Sequence, residues 1–282
     1  MVQGVTKGTI AQHEELLKIA RKLTLLSDVF MTVALKDELA CQHVVRILTG
    51  NPKLTVRSVK TQYRISKLVS HDAILDVLAE DEDGMLYNLE IQRAETVDHA
   101  RRTRFYGAMI DSEALEKGKT YKEMPEVHII YISETDLWHG GKTCYPVKKF
   151  FEDTDVPYED GMHVLYVNSE VDDGTAVAKL MQFFKTADPT DMSQGDLSKK
   201  VKRMKEGEDE AMYDAANEFI ELGRKYGLEE GKQEGKQEGK QDALRIVRMY
   251  MNGTDIASIA KEIGEDEAQI QAMLVEAGVI KK

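Results

Sequence analysis

Residues 74–92 read ILDVLAEDEDGMLYNLEIQ, two apolar runs separated by a charged turn that ends in glycine. Asp76 interrupts the first run, and Tyr87, Asn88 and Glu90 interrupt the second. The pattern predicts a β-hairpin. With Glu82, Asp83 and Gly84 as a three-residue loop and Gly84 at positive φ, Asp81 faces Met85 and Asp76 faces Glu90. Directly opposed residues on one sheet face have Cβ atoms about 5 Å apart. Two carboxylates at that distance repel unless positive charge lies between them, and a divalent cation is the simplest source. Gln92 lies two residues beyond Glu90 and so shares its face.

A second reading competes with this one. An Asp and a Glu in a hairpin also suit the solvent side of a half-exposed sheet. Against that, the run around Asp76 is apolar on both faces, the pattern of a strand covered on both sides. An unpaired carboxylate is costly there. The residues alone leave both readings open.

The order Asp76, turn, Glu90-Ile91-Gln92 resembles the active-site signature of the PD-(D/E)XK nuclease superfamily. It is most similar to the branch of PD-(D/E)XK nuclease family transposases, related to the recombination-promoting nucleases. The similarity extends to residues 26–30 and 102–106, the strand at 127–133 and the Gly-Lys-Gln-Glu repeats near the C-terminus. The resemblance implies a restriction-endonuclease-like α/β core, a mixed central sheet flanked by helices, with a helical C-terminal extension. It implies a metal-dependent DNA endonuclease linked to recombination or mobile elements, with Asp76, Glu90 and Gln92 as catalytic residues. Mg²⁺ or Mn²⁺ would be held by Asp76, Glu90 and the Ile91 carbonyl. Asp28 also matches a position of the branch, and equally suits a helix cap.

One departure matters. The superfamily's usual lysine is replaced by Gln92, as in the resembled branch. A neutral amide can orient a water or a phosphate oxygen but supplies no charge. Hydrolysis would then depend more on the metal. The alternative is a weakly active or inactive nuclease fold that binds or regulates, assembling through its C-terminal helices.

At 282 residues and 42% apolar content, the chain can bury one substantial core and carry a smaller appendage. Its longest apolar stretches fall short of the roughly 18 residues that span a bilayer, which predicts no membrane partner. The first ten residues lack the apolar region of a secretory signal. Cys41 and Cys144 are far apart and outside metal-ligand spacing, which suits a reducing cytoplasm. The seven histidines are scattered, and those flanking the hairpin site, His71 and His99, read as surface or structural residues.

The formal charge of −12 is unevenly spread: residues 206–241 hold five basic and eleven acidic residues, half of the total. By contrast, residues 51–71 carry Lys53, Arg57, Lys60, Arg64 and Lys67 with no acidic residue. Lys60, Arg64 and Lys67 are therefore candidates for positioning a DNA backbone beside the metal, with Arg101, Arg102 and Arg104 extending the surface. Lysine decoration of a solvated edge strand reads equally well. Arg102 and Tyr106 share a helix face. Arg102 would meet a phosphate and Tyr106 would stack or hydrogen-bond nearby; in the plainer reading Tyr106 packs in the core and Arg102 pairs with Asp98.

Periodicity predicts helices at 11–26, 32–48, 96–116 and 177–184, and strands near 54–59, 74–79, 85–92, 127–133 and 163–168. Three segments follow: a nuclease-like domain (1–205), an acidic Gly-Lys-Gln-Glu repeat spacer, partly helical (206–241), and a small helix-turn-helix-like module (242–282) with Thr254 as an N-cap. The last helix is acidic (Glu265, Asp266, Glu267, Glu276), the wrong sign for reading a DNA groove. The module is expected to contact protein or form a homo-oligomer.

Overall fold

The computed structural model describes residues 7–66, 72–92, 98–220, 245–263, 266–276 and 279–280. The chain divides into two compact units, Met1–Ile220 and Glu221–Lys282. The first begins with helices α1 (Lys7–Lys22), α2 (Asp28–Leu35) and α3 (Glu38–Thr49), followed by strands β1 (Val56–Ile65), β2 (Ala73–Asp81) and β3 (Leu86–Gln92). Helix α4 (His99–Ala114) leads to β4 (Val127–Ser133), β5 (Cys144–Pro146) and β6 (Met162–Asn168). Helices α5 (Ala176–Thr186), α6 (Gly195–Glu206) and α7 (Glu210–Asp214) close the unit.

The hairpin has the register that its turn dictates. Val77 pairs with Leu89, Leu78 with Asn88, Ala79 with Tyr87 and Glu80 with Leu86. The Asp81 N–H donates to the Met85 carbonyl and the Gly84 N–H to the Asp81 carbonyl, both at 3.1 Å, with Gly84 at φ +82°. A left-handed third residue is what a three-residue loop needs to return the chain in register. Asp81, 2% exposed, anchors the turn: its carboxylate accepts the Asp83 and Met85 N–H groups and the Tyr87 hydroxyl.

The sheet is mixed, in the order β1-β2-β3-β4-β6-β5. The β3–β4 and β4–β6 pairs are parallel and the other three antiparallel. Parallel pairing of β3 with β4 demands a crossover, and α4 supplies it. Its Tyr106, Met109 and Ile110 pack on Leu75, Leu78, Val127 and Ile129. Gly107 permits the close approach, because a Cβ there would lie 2.3 Å from the Met162 methyl carbon. Val77, Ala79 and Leu89 are also fully buried, so both faces of the central strands are covered. This is the restriction-endonuclease-like α/β arrangement.

Several elements differ from the sequence-based expectation. The first helix lies at Lys7–Lys22 rather than 11–26. The single helix expected at 32–48 is two, because the Asp37 carboxylate accepts the Leu39 and Ala40 N–H groups and starts α3 afresh. The strand expected at 54–59 runs on to Ile65. Strand β5 and helix α6 were not foreseen. Helix α6 is polar in sequence, yet it buries Leu197, Val201 and Met204 and also Lys200, whose ammonium pairs with Asp209 at 2.7 Å. Residues 206–220, expected to begin the spacer, belong to this unit. Met212 and Phe219 are fully buried, and Phe219 meets Phe30 edge-on at 6.2 Å. The remainder of the predicted spacer, 221–241, lies outside the described residues.

The second unit contains helical residues 245–251, α8 (Ile256–Ile263) and α9 (Glu267–Glu276). They pack around Ile246, Ile259, Ala260, Ile270 and Leu274. Asp255 rather than Thr254 caps α8, accepting the Ser258 N–H at 3.0 Å. Asp266 and Gln269 bond reciprocally at the start of α9. Among the described residues no helix is long and apolar enough to cross a membrane.

Candidate active site

The regular β2–β3 ladder ends at Val77–Leu89. One residue further, side chains replace it. The Asp76 N–H donates to Glu90 Oε1 at 3.3 Å, and the Ile91 N–H donates to Asp76 Oδ2 at 3.0 Å. Each carboxylate thus satisfies a backbone group near the other, and the pair is locked across the opening between the strands. Glu90 is 2% exposed. The fully buried Asn88 donates its Nδ2 to Glu90 Oε1 at 3.1 Å, while its Oδ1 has no partner among the described residues. Orphaning a buried acceptor costs about 1–3 kcal/mol. That cost accompanies holding Glu90 in one orientation.

Burial raises the pKa of both carboxyls. Repulsion from Asp76 raises Glu90 further, and the charge of Asp28 adds to the rise at Asp76. Two acids pressed together, one buried and one half-buried, favour a shared proton or a bound cation. Their donors are hard oxygens with no His or Cys among them, so the set fits Mg²⁺ or Mn²⁺.

The N-terminal turn of α4 supplies the positive charge. Arg102 Nη1 donates to Gln92 Oε1 at 2.6 Å, and its Nε donates to the Tyr106 hydroxyl at 2.8 Å. Arg102 favours the charged form of both Asp76 and Glu90. Tyr106 is 6% exposed and sits in the core beneath α4, so it packs and bonds at once. Asp98 does not take the Arg102 side chain; its carboxylate pairs with Arg101. His99 Nδ1 lies 3.0 Å from the Tyr131 hydroxyl, and Tyr131 is the β4 neighbour of Glu90.

Asp28 is the first residue of α2, where, among the described residues, its carboxylate accepts the adjacent Val29 N–H at 2.8 Å. The residue preceding the helix is Ser27, without a side-chain capping bond. The capping role expected for Asp28 is therefore not the one seen, whereas its charge reaches Asp76.

Gln62 was not foreseen. It stands in the middle of β1 at φ +49°, and its side chain hydrogen-bonds the Asp76 carboxylate. Positive φ is uncommon for a non-glycine residue and marks strain. Gln62 and Asp76 are also the pair missing from a β1–β2 register that is otherwise continuous from Val59–Ala79 to Ile65–Ala73. Side-chain alternation reverses at that point, since Leu75 shares a core cluster with Leu78. The reversal keeps Leu75 buried while Asp76 turns toward Glu90. A lone glutamine in a polar edge strand carries no local sequence signal for this.

Of the basic residues expected to position DNA, Arg102 is part of these contacts, whereas Lys60 and Arg64 have other partners. Lys60 Nζ sits 4.6 Å over the Tyr63 ring, Arg64 pairs with Asp72 at 3.2 Å, and Arg57 pairs with Glu80. All are on β1, the edge strand. Lys67 lies outside the described residues. A cleft of about 650 Å³ opens beside α4, lined by Thr103, Arg104, Trp138, Tyr145, Lys149 and Tyr166. It adjoins the site through Tyr166, which meets Tyr131 edge-on at 5.7 Å.

Residues 54–206, more than half of the chain, match the PD-(D/E)XK nuclease family transposase family. No curated protein and no solved structure matches the chain. The matched span runs from just before β1 through α6, and so takes in the opened ladder, both carboxylates, Gln92 and Arg102. The chain belongs to the PD-(D/E)XK nuclease family transposases.

Proposed function

We propose that this protein is a divalent-metal-dependent DNA endonuclease whose active centre is Asp76, Glu90, Ile91 and Gln92. Family membership gives a nuclease- or transposase-related role; the metal, the substrate and the residue roles are this proposal. The observation that carries it is the reciprocal bonding of Asp76 and Glu90, a half-buried and a buried carboxylate held against each other where the ladder opens. Only a cation or a proton makes such a pair comfortable.

Asp76, Glu90 and the Ile91 carbonyl would hold Mg²⁺ or Mn²⁺. When bound, such an ion acts as a Lewis acid toward a phosphate oxygen and lowers the pKa of water. The chain's own residues do the rest. Asn88 and Gln62 fix the orientations of Glu90 and Asp76. Gln92 presents an amide to a water or a phosphate oxygen. Arg102 holds Gln92 from behind and sets a permanent positive charge where the phosphoryl group gains negative charge. Lys60 and Arg64 along the β1 edge, with Arg104 and Lys149 at the cleft, and Lys67, would hold the DNA backbone without reading sequence.

A second reading rests on the 2.6 Å bond between Arg102 and Gln92. An amide engaged in this way has less freedom to orient a nucleophile, which favours a protein that binds DNA and cuts slowly or not at all. In that case the C-terminal helices would mediate assembly, as a homo-oligomer or with a protein partner. Plasmid nicking with Mg²⁺, Mn²⁺ or EDTA, comparing the intact protein with Asp76→Ala, separates the two. Metal-dependent nicking lost in Asp76→Ala supports the enzyme. Nicking that survives in the variant rejects the site, and DNA retention without nicking favours the second reading.

A further inference from the structure

A second constellation of ligand-bearing side chains lies on the sheet, three residues along the strands from the carboxylate pair. Tyr87, His128 and His163 are register neighbours on β3, β4 and β6. Their rings stack in a row, with centroids 4.8 Å and 4.4 Å apart. By strand alternation, Tyr87 and hence both histidines face away from the side that carries Asn88 and Glu90. Three residues of strand place them about 10 Å from Glu90 along β3. Glu126, two residues before His128, brings Oε2 to 3.1 Å from His163 Nε2. Its own backbone is pinned, because its carbonyl accepts the Leu86 N–H at 2.9 Å.

We propose that Glu126, His128 and His163 form a second metal site, one that takes a d-block divalent ion such as Zn²⁺. The ligand atoms of the three residues lie within 4.8 Å of one another. In a tetrahedral zinc site, bonds of about 2.0–2.1 Å place neighbouring ligand atoms about 3.3 Å apart. The Glu126–His163 contact already has that spacing, and rotation of the His128 ring closes the set. Room exists for it: a cavity of about 190 Å³ is lined by both imidazoles together with Leu48, Thr49, Pro146 and Val147.

The donor chemistry separates this site from the first. Two imidazoles and one carboxylate suit zinc, cobalt or nickel, whereas Mg²⁺ prefers oxygen ligands and retains its waters. The ion would tie the start of β4 to the start of β6, far from the phosphodiester chemistry. Its role would be to fix the end of the sheet rather than to cleave.

The test uses the full chain, stripped with chelator and titrated with Co²⁺ and then Zn²⁺ in excess Mg²⁺, which occupies the oxygen-only site. The expected result is about one equivalent of Co²⁺ with visible d–d absorption of a tetrahedral centre, displaced by Zn²⁺. Zinc should also raise the melting temperature by about 4 °C or more. His163→Gln, at a half-exposed position that leaves the core intact, should weaken Zn²⁺ binding at least about tenfold. Asp76→Asn should bind as the parent does. Wild-type affinity in His163→Gln would show that Glu126 and His163 are an ordinary surface pair and overturn the proposal. Loss of the cobalt spectrum in Asp76→Asn would do the same by assigning the ion to the carboxylate pair.

Discussion

Arg102 reaches Gln92 with a 2.6 Å bond from Nη1 to Oε1, so the position where the superfamily carries a lysine presents an amide already held by a guanidinium. The charge missing from the strand is supplied by the helix that crosses over it. The same guanidinium donates Nε to Tyr106, whose ring is fixed in the core, and this leaves Arg102 little freedom. A cation anchored at both ends of its fork is pre-organised for an anionic phosphoryl group.

This arrangement predicts that charge can be exchanged between the two positions but not doubled. Gln92→Lys would set an ammonium against the Arg102 guanidinium, and nicking should fall at least about tenfold, the scale of one misplaced charge. Arg102→Gln alone should lose a similar amount. The double variant should recover most of the activity, because it carries a single positive charge again. The interaction energy of this cycle, measured from nicking rates, should be favourable by about 1–3 kcal/mol. Additive losses would mean that Arg102 and Gln92 act independently.

Gln62 gives a prediction about strain. Its φ of +49° costs a side chain that glycine would not pay. Gln62→Gly should leave stability within about 1 kcal/mol of the parent, since relief of strain offsets the lost hydrogen bond. Gln62→Val, β-branched and unable to bond Asp76, should destabilise by about 2–3 kcal/mol. Urea denaturation checks both. Equal stability of the two variants would show that the backbone conformation at this position carries no strain.

What could be read from the sequence, and what could not, follows from how local each determinant is. The hairpin register was legible because Asp81, Gly84 and the loop length set it within five residues. The opposition of Asp76 and Glu90 follows from that register by counting. Gln62 was not legible, since its importance comes from a strand pairing and a reversal that no periodicity encodes. The break between α2 and α3 was hidden for another reason: Asp37 caps a helix inside an unbroken apolar pattern. Helix α6 reads as solvated because its buried Lys200 is recognisable only beside Asp209. The Glu126–His128–His163 group spans two strands, so spacing along the chain says nothing of it.

The raised carboxyl pKa values make stability depend on pH in a defined direction. A carboxyl whose pKa is higher in the folded than in the unfolded state stabilises the fold below the unfolded pKa, and that contribution is lost as pH rises through the folded value. Metal-free protein should therefore lose stability from the ordinary carboxylate range up into neutral pH. Glu90→Gln removes the larger repulsion. Its melting temperature in EDTA should gain on the parent's between pH 5 and pH 8, a window of about three units above the usual carboxylate value. Mn²⁺ should raise the parent at the upper end and leave Glu90→Gln nearly unchanged. A constant difference between the two proteins across this range would show that the pair is not under electrostatic stress.

The last prediction concerns where the DNA-binding unit ends. Lys200 and Asp209, 7% and 5% exposed, pair at 2.7 Å, and Asp209 also caps α7 by accepting the Ala211 N–H at 3.1 Å. Cutting the chain after residue 205 would strand the Lys200 ammonium in the core and remove Met212 and Phe219. Breaking a buried pair by removing one partner costs about 3–5 kcal/mol, so that fragment should be unfolded or aggregated. Asp209→Ala in the full chain should lose a similar amount. Cutting after residue 220 keeps these contacts and should leave a cooperatively melting domain. That domain should bind DNA about as tightly as the whole chain, since residues 221–282 hold twelve acidic and ten basic residues and their removal changes the net charge little; its affinity should fall steeply with salt as phosphate contacts are screened. If the 1–205 fragment folds as stably as 1–220, then α7 and the residues after it contribute nothing to the unit. If 1–220 folds but does not retain DNA, the assignment of the β1 edge and the α4 cleft to the phosphate backbone is wrong.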